Sequence, residues 1–165
     1  MAALLAVDLG VRAGLALYRE DGRVQWARSQ NFGSLPRLRR AAPAILDSLQ
    51  GELAHAGTGG LAWVVLEGGG ATGDIWQREA ARRNLGVMQV SAETWRAQLL
   101  YAREQRSGGE AKQHAQELAR RVLEWSGAAL PKSVSHDAAE AVLVGLWGVI
   151  QLGWLTGIPP DMRRA

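Results

Sequence analysis

The chain has 165 residues, enough for one domain with a buried core, and its 47% apolar and 21% charged residues are typical of a globular protein rather than a disordered one. It has no cysteine, so disulfides, thiol catalysis and cysteine-bound zinc are excluded, and we expect a cytoplasmic protein. The net charge is +3, and all basic residues except Lys112 and Lys132 are arginines. Because guanidinium groups bind phosphate in a two-pronged manner, this composition suits a nucleic-acid partner, although a bias in genome composition produces the same pattern.

Two apolar stretches bear on targeting. Residues 1–7 are apolar but contain no basic residue, and the acidic Asp8 follows them directly, so we do not expect a signal peptide. Residues 141–155 contain Gln151 and are shorter than the roughly 20 residues that cross a bilayer. They are expected to form a buried helix, and no membrane partner is expected.

The first third of the chain predicts three antiparallel strands. Residues 3–9 form an apolar run that ends in an acid and a glycine, and residues 14–19 follow after a short turn. Residues 23–29 alternate between apolar and polar side chains, as a half-buried strand does. Three strands joined by short turns favour an antiparallel meander.

Helices and strands then alternate along the chain. Helical spacing of leucines predicts a helix over 34–56, and Pro43 is expected to limit its regular part to 44–55. The other predicted elements are helices over 72–84, 92–101, 110–125 and 136–152, strands over 61–66 and 86–91, and loops over 103–109 and 127–134. We expect one domain over 1–156 and a loose tail over 157–165.

Four acidic residues fall where this order would bring them together. Asp8 ends the first strand, Glu67 ends the fourth, and Asp137 and Glu140 share one face at the start of the last helix. If the first and fourth strands are parallel neighbours, these acids meet at the sheet edge where open α/β sheets bind ligands. Converging carboxylates require cations, and two Mg²⁺ or Mn²⁺ ions there would support phosphodiester hydrolysis. Taken singly, each acid could instead be a turn former, a solvated residue or a favourable charge at a helix start.

A histidine and several arginines accompany the acids. His136 is either a metal ligand, a proton donor to the leaving oxygen or an exposed residue of the first helical turn. Six arginines form either a DNA-binding surface or solvated faces: Arg78, Arg82 and Arg83 on one predicted helix, and Arg96, Arg103 and Arg106 around the basic loop.

These motifs resemble those of RuvC-like Holliday junction resolvases, within the RNase H-like (retroviral integrase) superfamily. The matching segments are Ala6-Val7-Asp8-Leu9-Gly10 with Gly14, then Val64-Val65-Leu66-Glu67, then His136-Asp137-Ala138-Ala139-Glu140-Ala141. The last is similar to the family's acid-Ala-Ala-acid-Ala element. The resemblance covers nearly the whole chain and implies an α/β, RNase H-like fold, with a five-stranded mixed sheet of three antiparallel and then two parallel strands flanked by helices.

The resemblance also implies an activity. It identifies the chain with homodimeric, metal-dependent endonucleases that nick four-way DNA junctions symmetrically, use two Mg²⁺ ions per site, accept Mn²⁺ and have no small-molecule substrate. It implies that Asp8, Glu67, Asp137 and Glu140 are catalytic metal ligands and that Lys112 contacts the scissile phosphate. In the family the dimer forms through the helix after the second acid, here residues 74–84, and a two-fold enzyme matches a two-fold substrate.

Departures from the family pattern leave other functions open. Leu9 stands where the family usually has proline, glycines at 68–70 replace an aromatic wedge, and the final acid is Glu140 rather than aspartate. These differences indicate a divergent branch from a phage or mobile element. The alternatives are a YqgF-like nuclease acting on RNA and a non-catalytic module that binds branched DNA. A sugar-kinase or actin-like ATPase is disfavoured, because 165 residues cannot supply its two domains.

Overall fold

A five-stranded mixed sheet forms the centre of the molecule. A computed structural model describes residues 1–129 and 134–163, so parts of the predicted loop 127–134 and tail 157–165 lie outside the described residues. The strands are β1 (Ala2–Asp8), β2 (Arg12–Arg19), β3 (Val24–Asn31), β4 (Gly60–Glu67) and β5 (Gly86–Val90), in the spatial order β3-β2-β1-β4-β5. The first three pair antiparallel, whereas β4 pairs parallel with β1 and β5. The predicted fold class is therefore confirmed.

Helices cover both faces of this sheet. They are α1 (Leu35–His55), α2 (Gly70–Arg82), α3 (Ala92–Leu99), α4 (Gly108–Ser126) and α5 (His136–Gln151). Alternate residues of β1 point to opposite faces, so Leu5 and Val7 pack in one core with α1 and α2, while Leu4 and Ala6 pack in another with α3, α4 and α5. Because the central strands are buried on both sides, their sequences are continuously apolar.

Pro43 does not shorten α1, contrary to the sequence-based expectation. The helix runs unbroken from Leu35 to His55, and Pro43 lies inside it. A proline costs a helix interior about 3 kcal/mol, whereas each buried leucine contributes roughly 1.5–3 kcal/mol. The apolar stripe of α1 buries Leu38, Ala42, Leu46, Leu49 and Leu53. Burial of this stripe outweighs the lost backbone hydrogen bond.

Three other segments are more regular than the sequence predicts. Helix α2 begins at Gly70 rather than at the predicted position 72, and the predicted loop 103–109 overlaps a 3₁₀ turn (Ala102–Gln105). In the tail that was expected to be loose, a second 3₁₀ turn (Pro160–Arg163) buries Met162, whose carbonyl accepts a hydrogen bond from Arg121. Within residues 1–129 and 134–163, no helix is both long and apolar enough to cross a bilayer.

Close packing of α5 on the sheet depends on glycines. A Cβ atom on Gly14 of β2 would lie 1.8 Å from the backbone oxygen of Asp137, and one on Gly145 would lie 2.1 Å from the Tyr18 ring. Neither distance is compatible with a side chain, so these glycines allow the helix to approach the strands closely. The N-terminus of α5 is thereby placed over β2, beside the end of β1.

Candidate active site

Asp8 and Glu67 lie side by side at the ends of two parallel strands. They are direct partners in the register of β1 and β4, and Gly14 is the partner of Asp8 on the other side. Side chains alternate along a strand, so Asp8 follows Leu4 and Ala6 onto the face that α5 covers, and Glu67 follows Val65 onto the same face. The two carboxyl groups therefore project together towards the start of α5.

The first turn of α5 supplies the third acid. Ser135 is its N-cap, and the Ser135 hydroxyl accepts a hydrogen bond from the Ala138 amide at 3.2 Å. Asp137 Oδ2 accepts a hydrogen bond from Ser29 Oγ and lies 3.3 Å from Arg12 Nε. The cap and these contacts orient Asp137 over the strand ends. Arg12 and Ser29 were not predicted as site residues, because nothing local in the sequence marks the start of β2 or the second half of β3 as facing α5.

Glu140 is the most enclosed of the four acids. Its side chain is 4% exposed, and its Oε1 atom lies 3.1 Å from Arg96 Nη2 and 3.5 Å from His136 Nε2. Arg96, which the sequence analysis assigned to DNA binding, thus contacts an acid of the candidate site. The other oxygen, Glu140 Oε2, is buried and has no hydrogen-bond partner, and the same holds for Glu67 Oε2.

Burial and mutual repulsion change the ionisation of two of these acids. Partial burial, followed by the neighbouring charge of Glu67, raises the pKa of Asp8 from 3.8 to about 8. Burial and repulsion by Glu140 also raise the pKa of Glu67. At neutral pH the Asp8–Glu67 pair therefore retains a proton in the absence of a cation.

The donor set fits a hard divalent cation. Carboxylate oxygens are the ligands that Mg²⁺ and Mn²⁺ prefer, and the buried, unpartnered oxygens of Glu67 and Glu140 lack the stabilising contacts that such groups normally have. Among the described residues, no group of three or more acidic or histidine side chains forms a ready-made metal cage. The site therefore provides oxygen donors of the right chemical type but, among the described residues, not a complete coordination shell.

The predicted basic residues fall into two classes. Lys112 in the first turns of α4, Arg103 and Arg106 around the 3₁₀ turn, and Arg78 on α2 have exposed side chains. Two others make ion pairs within the chain: Arg82 with Glu79, and Arg83 with both Glu79 and Asp47. Arg83 thus joins α2 to α1, and its side chain is mostly buried. His136 is 43% exposed in the first turn of α5.

The similarity of this chain to known proteins lies in its fold and not in its sequence. Neither a family model nor a curated protein matches the sequence. Among solved structures, the chain is similar to T. thermophilus RuvC in complex with Holliday junction substrate, with a TM-score of 0.64 and 12% identity over 93% of this chain and 96% of that one. It is also similar to a second Thermus thermophilus RuvC structure, with a TM-score of 0.53 and 14% identity over 90% of this chain and 96% of that one. The expected resemblance is confirmed at the level of architecture: this chain has the fold of RuvC.

Proposed function

We propose that the protein is a metal-dependent endonuclease that nicks four-way DNA junctions symmetrically as a homodimer. The observation that carries this proposal is the convergence of Asp8, Glu67, Asp137 and Glu140 from three separate elements at one edge of the sheet. The likeness to a RuvC structure in complex with a Holliday junction supports DNA junctions as the substrate. The mostly arginine-based positive charge is consistent with a nucleic-acid partner.

Asp8, Glu67 and Asp137 are the residues that would hold the divalent cation. When bound, such an ion would supply an activated water and neutralise charge on the leaving oxygen of the phosphodiester. Glu140 lies behind them, enclosed and paired with Arg96. The fixed strand ends hold Asp8 and Glu67 in place, so the acids require little rearrangement before they bind the cation.

Other side chains would act on the DNA directly. His136 is half-exposed beside Glu140, where its ring can donate a proton to the departing oxygen. Lys112 is exposed near the start of α4 and would contact the scissile phosphate. Arg103 and Arg106 on the 3₁₀ turn would bind phosphates of the junction arms. Arg78 shares the exposed side of α2 with Asp74 and Ala81 and would lie at the interface between copies. Arg83 contributes less to DNA binding, because its mostly buried side chain is paired with both Asp47 and Glu79. Arg82 is 65% exposed, so its pair with Glu79 leaves it able to contact phosphate.

A dimer follows from the proposed reaction. Two strands of a junction must be cut at points related by a two-fold axis, so a two-fold enzyme fits the substrate. One side of α2 packs inside the protomer through Ile75, Trp76 and Ala80. The opposite side, with Asp74 and Ala81, is exposed and would form the interface between copies.

A cleavage assay on several substrates tests the proposal. The purified protein is incubated with a labelled four-way DNA junction, the matching plain duplex and a single-stranded RNA, each with Mg²⁺ or Mn²⁺. We expect paired nicks in the junction and little cleavage of the other two. Preferential cleavage of the RNA would favour the YqgF-like alternative, and junction binding without any cleavage would favour a non-catalytic module.

A further inference from the structure

The four acids of the candidate site differ in whether they already have a basic partner. Arg96 Nη2 lies 3.1 Å from Glu140 Oε1, and Arg12 Nε lies 3.3 Å from Asp137 Oδ2. Across residues 1–129 and 134–163, neither Asp8 nor Glu67 makes an ion pair with a lysine, arginine or histidine. These two arginines are therefore paired with the two acids of α5, and at the strand ends the Arg96 charge only partly offsets the rise in the pKa of Glu67.

Arg96 is a fixed group rather than a mobile surface arginine. Its side chain is 25% exposed, whereas that of Arg12 is 70% exposed, so the Arg96–Glu140 pair is the less screened of the two. Helix α3, which carries Arg96, is capped by Ser91, and the Arg96 carbonyl accepts a hydrogen bond from Gln105 at 3.2 Å. The guanidinium also lies 5.2 Å from the Trp95 ring centroid. These contacts hold a positive charge against the enclosed Glu140.

The charges of the site leave room for one divalent cation. Four ionised carboxylates and the two guanidinium groups of Arg12 and Arg96 together leave two negative charges, located at Asp8 and Glu67. One divalent cation neutralises them. A second ion near Glu140 would have to approach the Arg96 guanidinium, and the two positive charges would repel each other in a partly desolvated site.

We infer that Arg96 is a positioning residue that takes the place of a second metal ion, so that the DNA-free protein binds a single Mg²⁺ or Mn²⁺, held by Asp8, Glu67 and Asp137. This inference rests on the proposed function, because it assumes that the carboxylates bind a divalent cation. It differs from the two ions per site that the family resemblance implies. It also assigns Arg96 to the acids instead of the DNA.

Counting bound Mn²⁺ tests the inference without any cleavage step. Protein free of DNA is titrated with Mn²⁺, and the unbound ion is measured from its electron paramagnetic resonance signal. Wild type should bind one ion per protomer. Arg96→Gln should bind two, because Glu140 loses its partner and becomes available to a cation. Arg96→Lys should bind one, since the positive charge remains. The matched control is Arg120→Gln, which removes an exposed arginine paired with Glu124 on α4 and should bind one.

A double variant keeps the test decisive if Arg96→Gln fails to fold. Arg96→Gln with Glu140→Gln removes both charges of the pair at nearly constant volume, and its folding is verified by circular dichroism. We expect one bound ion. Two ions in this double variant, two ions in wild type, or one ion in a folded Arg96→Gln would each overturn the inference and leave the proposed nuclease function standing. No bound ion in wild type would overturn both the inference and the proposed metal-dependent reaction.

Discussion

Asp8 has a pKa far above that of an ordinary surface acid. It is partly buried and faces Glu67, and together these raise its pKa to about 8. The unfolded chain releases the same proton near the ordinary value of 3.8. Between these two values the folded protein binds more protons than the unfolded one, so this group makes the free energy of unfolding fall as pH rises.

This linkage gives a prediction for Asp8→Asn. In EDTA, the melting temperature of wild type should fall between pH 5 and pH 8 more steeply than that of the variant, and the variant should be the more stable of the two at pH 8. Thermal melts followed by circular dichroism measure both slopes. Asp21→Asn, an isosteric change in the exposed turn between β2 and β3, is the control and should leave the slope unchanged. Parallel pH profiles for wild type and Asp8→Asn would contradict the assigned environment.

The same variant tests the cation. A ligand that binds only the folded state raises the melting temperature, so Mg²⁺ should stabilise wild type and have much less effect on Asp8→Asn. Equal Mg²⁺ shifts in the two proteins would place the bound ion elsewhere.

At the scale of elements, the approach of α5 to β2 decides where Asp137 and Glu140 lie. Gly14→Ala would place a Cβ atom 1.8 Å from the Asp137 carbonyl oxygen, so the start of α5 must move away from the sheet. A displacement of about 1 Å can cost a hundredfold in rate, and we expect a loss of that order in single-turnover junction cleavage. Gly51→Ala is the control, because its Cβ meets nothing within 4 Å in α1. It should preserve activity and slightly raise stability, since alanine is the better helix former.

The 3₁₀ turn between α3 and α4 is expected to contribute to DNA binding. Arg103 and Arg106 are exposed there, so replacing both by alanine should weaken junction binding and lower the slope of log affinity against log salt by about 2. Arg39→Ala with Arg40→Ala removes equal charge from α1, on the opposite face of the sheet, and serves as the control. Gel-shift titrations at several salt concentrations give both slopes. If the slope of the Arg103→Ala, Arg106→Ala variant equals that of wild type, the 3₁₀ turn does not contact the DNA.

The sequence predicts the strands that carry this site better than it predicts the contacts between its helices. The succession of three antiparallel strands followed by alternating helices and strands follows from periodicity and short turns, whereas the RuvC-like architecture is implied by the resemblance of the acidic motifs, and the structure confirms both. The contact between Arg96 and Glu140 joins residues that lie 44 positions apart. It depends on how α3 packs beside α5, which no local pattern specifies. Pro43 illustrates the same limit, because the burial of leucines that favours a continuous helix is a tertiary effect.

At the scale of the whole molecule, the proposed dimer is tested through the exposed side of α2. Ala81→Arg introduces a bulky charge on that side, and we expect the protein to sediment as a monomer and to lose the coupling between the two nicks in a junction. Ala54→Arg, an equivalent change on an exposed position of α1, should remain dimeric. If Ala81→Arg sediments like wild type, the interface lies on another surface.

We expect the acids at the strand ends to bind the cation needed for cleavage of the phosphodiester, rather than to stabilise the fold. Single-turnover cleavage of one labelled four-way junction in Mg²⁺ tests this expectation directly, with junction affinities measured separately in Ca²⁺. Asp8→Asn and Glu67→Gln should each reduce the cleavage rate at least about a thousandfold, equivalent to about 4 kcal/mol of activation free energy, while junction affinity is kept or improved because a negative charge facing phosphate is lost. Cleavage by Asp8→Asn within about tenfold of wild type, or a loss of binding that matches the loss of cleavage, would contradict the account.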